Sequence, residues 1–403
     1  MSEKRNEPKL RFPGFYKSWE QHSFSDFTFA AGKRNKENLN LKSYAVTNDR
    51  GFIPQDEAHD EFGYMKDTDR TAYNIVPPHS FAYNPARINV GSIGYYNGEE
   101  SVIVSSLYEV FQTKEYVDDR FLWHWIKSEQ LPRWINKLQE GSVRLYFYYD
   151  KLCECHLMLP PLEEQKKIAS FFDNVDNLIS LHQRKCDQVK ALKKATLQKM
   201  FPKEGETTPE IRFPEFSGDW EQRKLSDVLT KYEDPVETPH DGYERLGIRS
   251  HAKGTFHSYV EPGKELETAK MHRVAANKFI MNITFAWEHA VAVTDENDVG
   301  KLVSHRFPQF SFDDSVNPSF FKYVIIDRRF KEHLALSSPG GAGRNRVLNL
   351  NDMLKYKFCC PSIEEQLKIS AFFTNLDNLI ALHQRKCDEL KELKKGLLQQ
   401  MLV

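Results

Sequence analysis

The sequence predicts an α+β chain in which two mixed α/β globules are joined by two long antiparallel helices and related by an internal pseudo-twofold repeat. Three observations carry this expectation. Blocks at the head and tail of the first half return in the second half at one offset. The stretches between those blocks share no motif. Each half closes on a long run with the apolar spacing of a helix stripe.

The repeat comes first, because an overlooked repeat misassigns the whole architecture. Arg11-Phe12-Pro13-Gly14-Phe15 returns as Arg212-Phe213-Pro214-Glu215-Phe216 (212 − 11 = 201), and Trp19-Glu20-Gln21 as Trp220-Glu221-Gln222. Glu163-Glu164-Gln165 returns as Glu364-Glu365-Gln366. The stretch from His182 to Asp187 recurs unchanged from His383 to Asp388. Retained ends around dissimilar middles imply one scaffold carrying two different inserts.

The frame reads as helical. From 163 to 201 there is no Pro and no Gly. Ile168, Phe171, Phe172, Val175, Leu178, Ile179, Val189 and Leu192 follow three-four spacing. A seven-residue step links Ile168, Val175, His182 and Val189, and again Ile369, Leu376, His383, Leu390 and Leu397, which is a heptad seam. Pro160 and Pro161 precede the first run and Pro361 the second. Glutamates fill each first turn and lysines sit near the first run's far end, matching the helix dipole. Such a helix extends ~58 Å and needs a partner for its seam, for which the other copy is the natural choice. The expected result is two globules held apart by a two-helix rod, with Val403 brought near Met1. His182 and His383 then act as polar seam residues that help set register.

Between the frame blocks, short β-rich runs at 87–91, 101–105, 279–283, 291–293 and 323–326 alternate with Gly, Asn and Asp loops, while 121–126 and 320–336 look helical in part. With 403 residues, 40% hydrophobic and 28% charged, the composition is that of folded domains. The apolar stretch near 279–287 is broken by Asn282 and Thr284 and is too short for a bilayer. The polar start has no signal core, so the expected compartment is the cytoplasm. Six cysteines, with no Cys-x-x-Cys pair, suit neither a zinc site nor a disulfide framework, and Cys153-x-Cys155-His156 reads as buried small residues. A net charge of −1 means that any nucleic-acid reader must concentrate its basic groups locally.

This arrangement resembles the specificity subunits of Type I restriction-modification systems over nearly the whole chain. The likeness rests on the doubled Arg-Phe-Pro-x-Phe…Trp-Glu heads and the doubled Pro…Glu-Glu-Gln-x-x-Ile…Phe-Phe segments with their long helices. A third element precedes each helix: Gly141-Ser142-Val143-Arg144, Leu152 and Pro160, then Gly341-Ala342-Gly343-Arg344-Asn345-Arg346, Leu354 and Pro361. The resemblance implies a first target recognition domain over 1–158, a central spacer helix over 159–205, a second target recognition domain over 206–360 and a C-terminal spacer helix over 361–403. It implies that each domain reads one half of a bipartite, asymmetric site in double-stranded DNA. The helices then act as a ruler, and two modification subunits dock on the conserved regions, bind S-adenosylmethionine and methylate adenine. Restriction subunits add translocation and cleavage in such systems. The specificity subunit performs no chemistry and carries no cofactor of its own.

Candidate DNA contacts lie in loops rich in Gly and Arg, since Gly lets backbone approach phosphate and Arg can take guanine through two hydrogen bonds. In the first insert these are Gly141, Ser142 and Arg144, with Lys33, Arg34, Asn35 and Lys36. In the second they are Gly341, Gly343, Arg344, Asn345 and Arg346, with Arg249, His251 and Lys253 as a further loop. The candidate partner-binding residues are Phe171, Phe172, Phe372 and Phe373, which suit the core and become anchors only where exposed.

Two rival readings remain open at this stage: a self-contained adenine methyltransferase, and a coiled-coil interaction protein without DNA specificity. Asn317-Pro318-Ser319-Phe320 departs from the Asn-Pro-Pro-aromatic motif of adenine methyltransferases and reads as a helix start. Gly340-Gly341-Ala342-Gly343 lacks the Gly-Lys-Ser/Thr ending of a nucleotide loop.

Overall fold

A computed structural model describes residues 7–48, 50–58, 70–139, 146–265, 270–340 and 346–402. The chain forms two compact units, Met1–Arg184 with Gln384–Val403, and Lys185–His383. The two long helices are Leu162–Met200 and Ile363–Met401, each of 39 residues. Pro160 and Pro161 lie just ahead of the first, and Pro202 follows its end, where a ring without an N–H cannot continue the ladder.

Within each unit the two helical segments run antiparallel. In the first unit Lys394 Nζ meets Asp176 at 2.7 Å, and the Cys387 thiol points at Gln183 Oε1, 3.7 Å away. In the second unit Lys193 meets Asp377, and the Cys186 thiol points at the Ile380 carbonyl, 3.8 Å away. Ile168, Phe172, Val175, Cys186 and Met200 are buried, and so are Ile369, Phe373, Leu376, Cys387 and Met401. His182 and His383 are half-buried at their seam positions. The expected stripe was too wide: Leu178 and Leu192 are exposed, as are their counterparts Leu379 and Leu393. A pair of helices covers only a narrow seam, and residues flanking it stay in water.

The unalike middles fold alike. In the first unit a four-stranded antiparallel sheet has the order Thr28–Ala30, Glu109–Thr113, Ser80–Tyr83, Ile93–Tyr96. The second unit repeats it with Leu229–Tyr232, Gln309–Phe312, Phe279–Met281 and Val291–Val293. The outer sheet also repeats. Lys33–Arg34, Asn74–Val76 and Val102–Val104 pair in that order, a parallel bridge joins Ser43 to Ile103, and the hairpin Tyr44–Thr47/Gly51–Pro54 follows. The second unit has Pro235–Val236, Met271–Arg273, Leu302–Ser304, then Tyr243–Ile248 joined in parallel, then Thr255–Val260. Topology therefore survives where motif similarity does not, because alternating burial admits many sequences.

Two local readings are corrected. Residues 87–91 are not a strand: Ile88–Val90 is a 3-10 turn closed by Gly91 in the left-handed conformation (φ 87°). Its counterpart is Ala286–Glu288, closed by His289 (φ 66°). Residues 323–326 are not a strand either, since the helix Pro318–Val324 runs into them. Asn317 caps that helix by accepting from Phe320 N, and Phe320, Phe321 and Val324 are buried in the core, which overrides the β-propensity of a Tyr-Val-Ile-Ile run.

The first unit's main core is completed by a segment far away in sequence, the second unit's by the helix end just ahead of it. Leu398, Met401 and Leu402 join Trp19, Phe24, Phe121 and Phe172 in the first unit. Met200 joins Trp220, Leu225, Phe320 and Phe373 in the second.

Candidate nucleic-acid interface

The repeated motifs build the same mount at the start of each long helix. Arg11 forms a two-pronged ion pair with Glu164 (2.7 and 2.8 Å) and also donates to the Lys17 carbonyl. Arg212 does the same with Glu365 (2.7 and 2.7 Å) and the Gly218 carbonyl. Both glutamates are buried, and hydrogen bonding to them raises both arginine pKa values above the ordinary guanidinium range. Gln165 Oε1 accepts from Asp118 N at 2.8 Å while its amide donates to the Pro160 and Tyr116 carbonyls. Gln366 accepts from Asn317 N at 2.8 Å and donates to the Pro361 and Ser315 carbonyls. These side chains tie the start of each long helix to the repeated head that carries Arg11 or Arg212 and to Asp118 or Asn317, the cap of the helix Asp119–Ile126 or Pro318–Val324.

Below each mount the two units differ. In the first, the buried His124 donates through Nε2 to Asp173 at 2.9 Å, and Arg120 pairs with the same carboxylate. Burial holds the His124 pKa below the ordinary imidazole value despite Asp173. Burial pushes Asp173 upward, but hydrogen bonds from His124 and Arg120 outweigh it and leave that carboxyl far below the usual range. In the second unit Tyr323 faces Asp377 from the corresponding place, at 3.4 Å.

The predicted contact residues fall into three groups. Gly141, Ser142, Arg144, Gly341, Gly343, Arg344 and Asn345 lie outside the described residues. A second group is exposed, as one cluster in each unit. Lys33 and Arg34 form an exposed strand and Lys36 follows it. Arg249, His251 and Lys253 are exposed on the turn of the hairpin formed by Tyr243–Ile248 and Thr255–Val260. That turn is held from behind: Ser250 Oγ donates to Glu288 at 2.8 Å, and the amides of His251 and Ala252 bond the Glu288 and His289 carbonyls. Arg249 stacks over Phe256 at 5.3 Å, and Arg346 over Trp287 at 5.6 Å, so each guanidinium is held against an aromatic ring.

A third group is corrected. Asn35 is fully buried, with Oδ1 accepting from Leu39 N and Nδ2 donating to the Leu39 carbonyl, so its side chain closes a turn and does not face outward. Phe172 and Phe373 are fully buried and have no surface to offer a partner. Phe171 and Phe372 are part-buried and pack edge-on against Phe12 and Phe213, clamping the repeated heads to the helices.

Sequence reasoning missed the aromatic rims. Tyr146 and Tyr148 are exposed and stacked at 5.7 Å in the first unit. Phe256, Tyr259 and Phe285 are exposed in the second. The signal was available at 146–148, where alternation about the buried Phe147 turns both tyrosines to one side. Among the described residues no cluster of three or more His, Cys, Asp or Glu side chains is placed to hold a metal, and no helix is long and apolar enough to cross a membrane.

Two copies of one scaffold, each carrying its own basic and aromatic rim, define a paired recognition protein. The model of the Type I restriction modification DNA specificity domain matches this chain twice, over residues 11–191 and 217–392. The MjaVIII specificity subunit of Methanocaldococcus jannaschii is 23% identical over 329 residues, 78% of this chain and 76% of that one. A putative MjaX specificity subunit of the same organism is 21% identical over an alignment of 419 residues, covering 95% and 92%. In fold, the chain is similar to a Type I system S subunit from M. genitalium (TM-score 0.58, 10% identity, 98% and 99% covered). It is also similar to a chain from a Type I system studied for complex assembly (TM-score 0.51, 13% identity, 97% and 98% covered). The chain belongs to the family of Type I restriction-modification DNA specificity domains. It recognises DNA sequence through two target domains and is not itself the enzyme, since methylation falls to partner subunits.

Proposed function

We propose that the two target domains read two unlike halves of one bipartite, asymmetric site in a DNA duplex. The long helices set the number of unread base pairs between the halves. Two modification subunits, each holding S-adenosylmethionine and methylating adenine, assemble on the repeated frame in the cytoplasm, and restriction subunits complete the system where they accompany them. The observation that carries the reading is the doubled scaffold with two different rims: Lys33, Arg34 and Lys36 in one unit, and Arg249, His251, Lys253 and Arg346 in the other. A shared frame supports two copies of one partner, and unlike rims support unlike half-sites. Leu181 and Leu382, exposed at matching positions on the long helices, offer that partner apolar contact.

Mapping methylated adenines in cells carrying this chain and its modification subunit tests the proposal. The expected pattern is two different half-sites at a fixed gap; a palindrome or one continuous site overturns it. Arg249→Ala should weaken binding to the matched duplex by about 1–3 kcal/mol if the guanidinium reads a base. A loss of equal size on every duplex would reassign Arg249 to phosphate, with a correspondingly shallower salt dependence.

A further inference from the structure

The second unit has a recess of about 600 Å³ between the last turns of the first long helix and the junction that follows Pro318–Val324. The first unit has one of about 290 Å³ between the last turns of the second long helix and the junction that follows Asp119–Ile126. On the long helix that ends at each recess the lining repeats residue for residue, while Asp377 and Ile380 of the other helix line the second unit's recess without counterparts in the first. Lys190, Lys193, Lys194, Leu197 and Gln198 line the former, and Lys391, Lys394, Lys395, Leu398 and Gln399 line the latter. The facing junctions share no sequence: Ile326, Asp327 and Arg328 on one side, Lys127, Ser128 and Glu129 on the other. Five lining residues repeated on the helix that ends at each recess, opposite a wall that has changed, point to a shared occupant of that helical face.

The lining states the occupant's chemistry. In the second unit four cationic side chains (Lys190, Lys193, Lys194, Arg328) stand against Asp327 and Asp377. In the first unit four lysines (Lys127, Lys391, Lys394, Lys395) stand against Glu129 alone. Lys193 and Lys394 are already paired with Asp377 and Asp176. Lys190, Lys194, Lys391 and Lys395 are exposed at the rim. The apolar lining is half-buried Leu197, Phe201 and Ile380 in one recess and buried Leu398 in the other, with Pro132 exposed at its edge. A phosphate backbone is polar throughout and gains nothing from an apolar lining. A polypeptide that carries carboxylates beside a large apolar side chain satisfies both parts of the site.

We propose that each recess seats an acidic, apolar-tipped segment of one modification subunit, so that one copy docks on each unit. This rests on the reading that two modification subunits assemble on the chain. The test is the stoichiometry of the full chain co-expressed with its modification subunit, measured by native mass spectrometry. Lys190→Glu with Lys194→Glu should take the complex from two modification subunits to one, and so should Lys391→Glu with Lys395→Glu. All four together should leave none. The corresponding Lys→Arg variants should keep both copies, and Lys→Met variants with unchanged melting curves should weaken assembly at least tenfold. Two copies retained in every charge-reversed variant, at undiminished affinity, overturns the proposal. Retained assembly combined with weaker binding to a random-sequence duplex overturns it in favour of a phosphate site. A wild-type chain that takes up no modification subunit overturns the functional reading beneath it.

Discussion

The outer hairpins of the two units differ more than anything beneath them. Tyr44–Thr47 and Gly51–Pro54 are short strands of four residues each, whereas Tyr243–Ile248 and Thr255–Val260 run six residues each and turn through Arg249 to Gly254. Yet both hairpins join the rest of their sheet through the same parallel contact, and both inner sheets keep one strand order. Where the chain meets its own core, the solution is held; where it meets solvent, length and chemistry change. Such an arrangement allows the surface that reads a ligand to vary without disturbing the mount that aims it.

If the two mounts are equivalent, removing the same part from each should cost each unit the same. The largest effect is expected at the ion pairs. Arg11→Met leaves the Glu164 carboxylate buried and unpaired, which should cost the first unit about 3–5 kcal/mol, and Arg212→Met should do the same to the second. Amide exchange resolved by peptide would show protection falling in one unit at a time. Equal loss in both units from a single substitution would break the picture of independent mounts. A smaller effect is expected at the glutamines. Gln165→Leu and Gln366→Leu each strand a part-buried backbone N–H and two carbonyls, for about 2 kcal/mol.

The third comparison concerns pH and separates the units. Each contains a buried neutral imidazole in a different place. His124 sits at the helix junction, facing Asp173, Asp176, Arg120 and Lys394. His289 sits in the outer turn, bonded to the Ile325 carbonyl at 2.6 Å, with Lys331, His251 and Asp327 around it. Burial lowers both folded pKa values. The unfolded chain therefore takes up these protons first, and stability falls as pH drops below the ordinary imidazole value of about 6.5. Exchange protection should decline at 119–126 in the first unit and at 286–289 in the second. His124→Tyr, which installs the residue found at Tyr323, should flatten the response of the first unit alone. A uniform decline across both units would contradict this assignment.

Much of the frame was readable from the residues. The prolines at 160, 161 and 361 mark the helix starts, Asn317-Pro318 marks a capped helix, and the paired heads announce the duplication. The common topology of the middles was not readable, because register is set by which alternate positions face inward, and unlike sequences can share that pattern. Cys186 and Cys387 are fully buried in the seam, a role with no periodic signal in the sequence until the partner helix is known. Asn35 was misjudged for a related reason. A polar residue in a basic loop looks outward in sequence, but its amide can satisfy the turn's own backbone instead. The aromatic rims were missed because exposed rings are indistinguishable from core rings without knowing which face of a strand they occupy.

The completion of the first core by Leu398, Met401 and Leu402 bears on how the chain comes into being. A ribosome delivers Trp19, Phe24 and Phe121 long before those last residues exist, so the first unit waits, with part of its apolar interior uncovered, while the second is still being synthesised. The second unit has no such delay, since Met200 is made before the strands it will join. The later-born half can therefore mature first. Loss of the final helical turns would be felt in the half of the molecule encoded furthest from them.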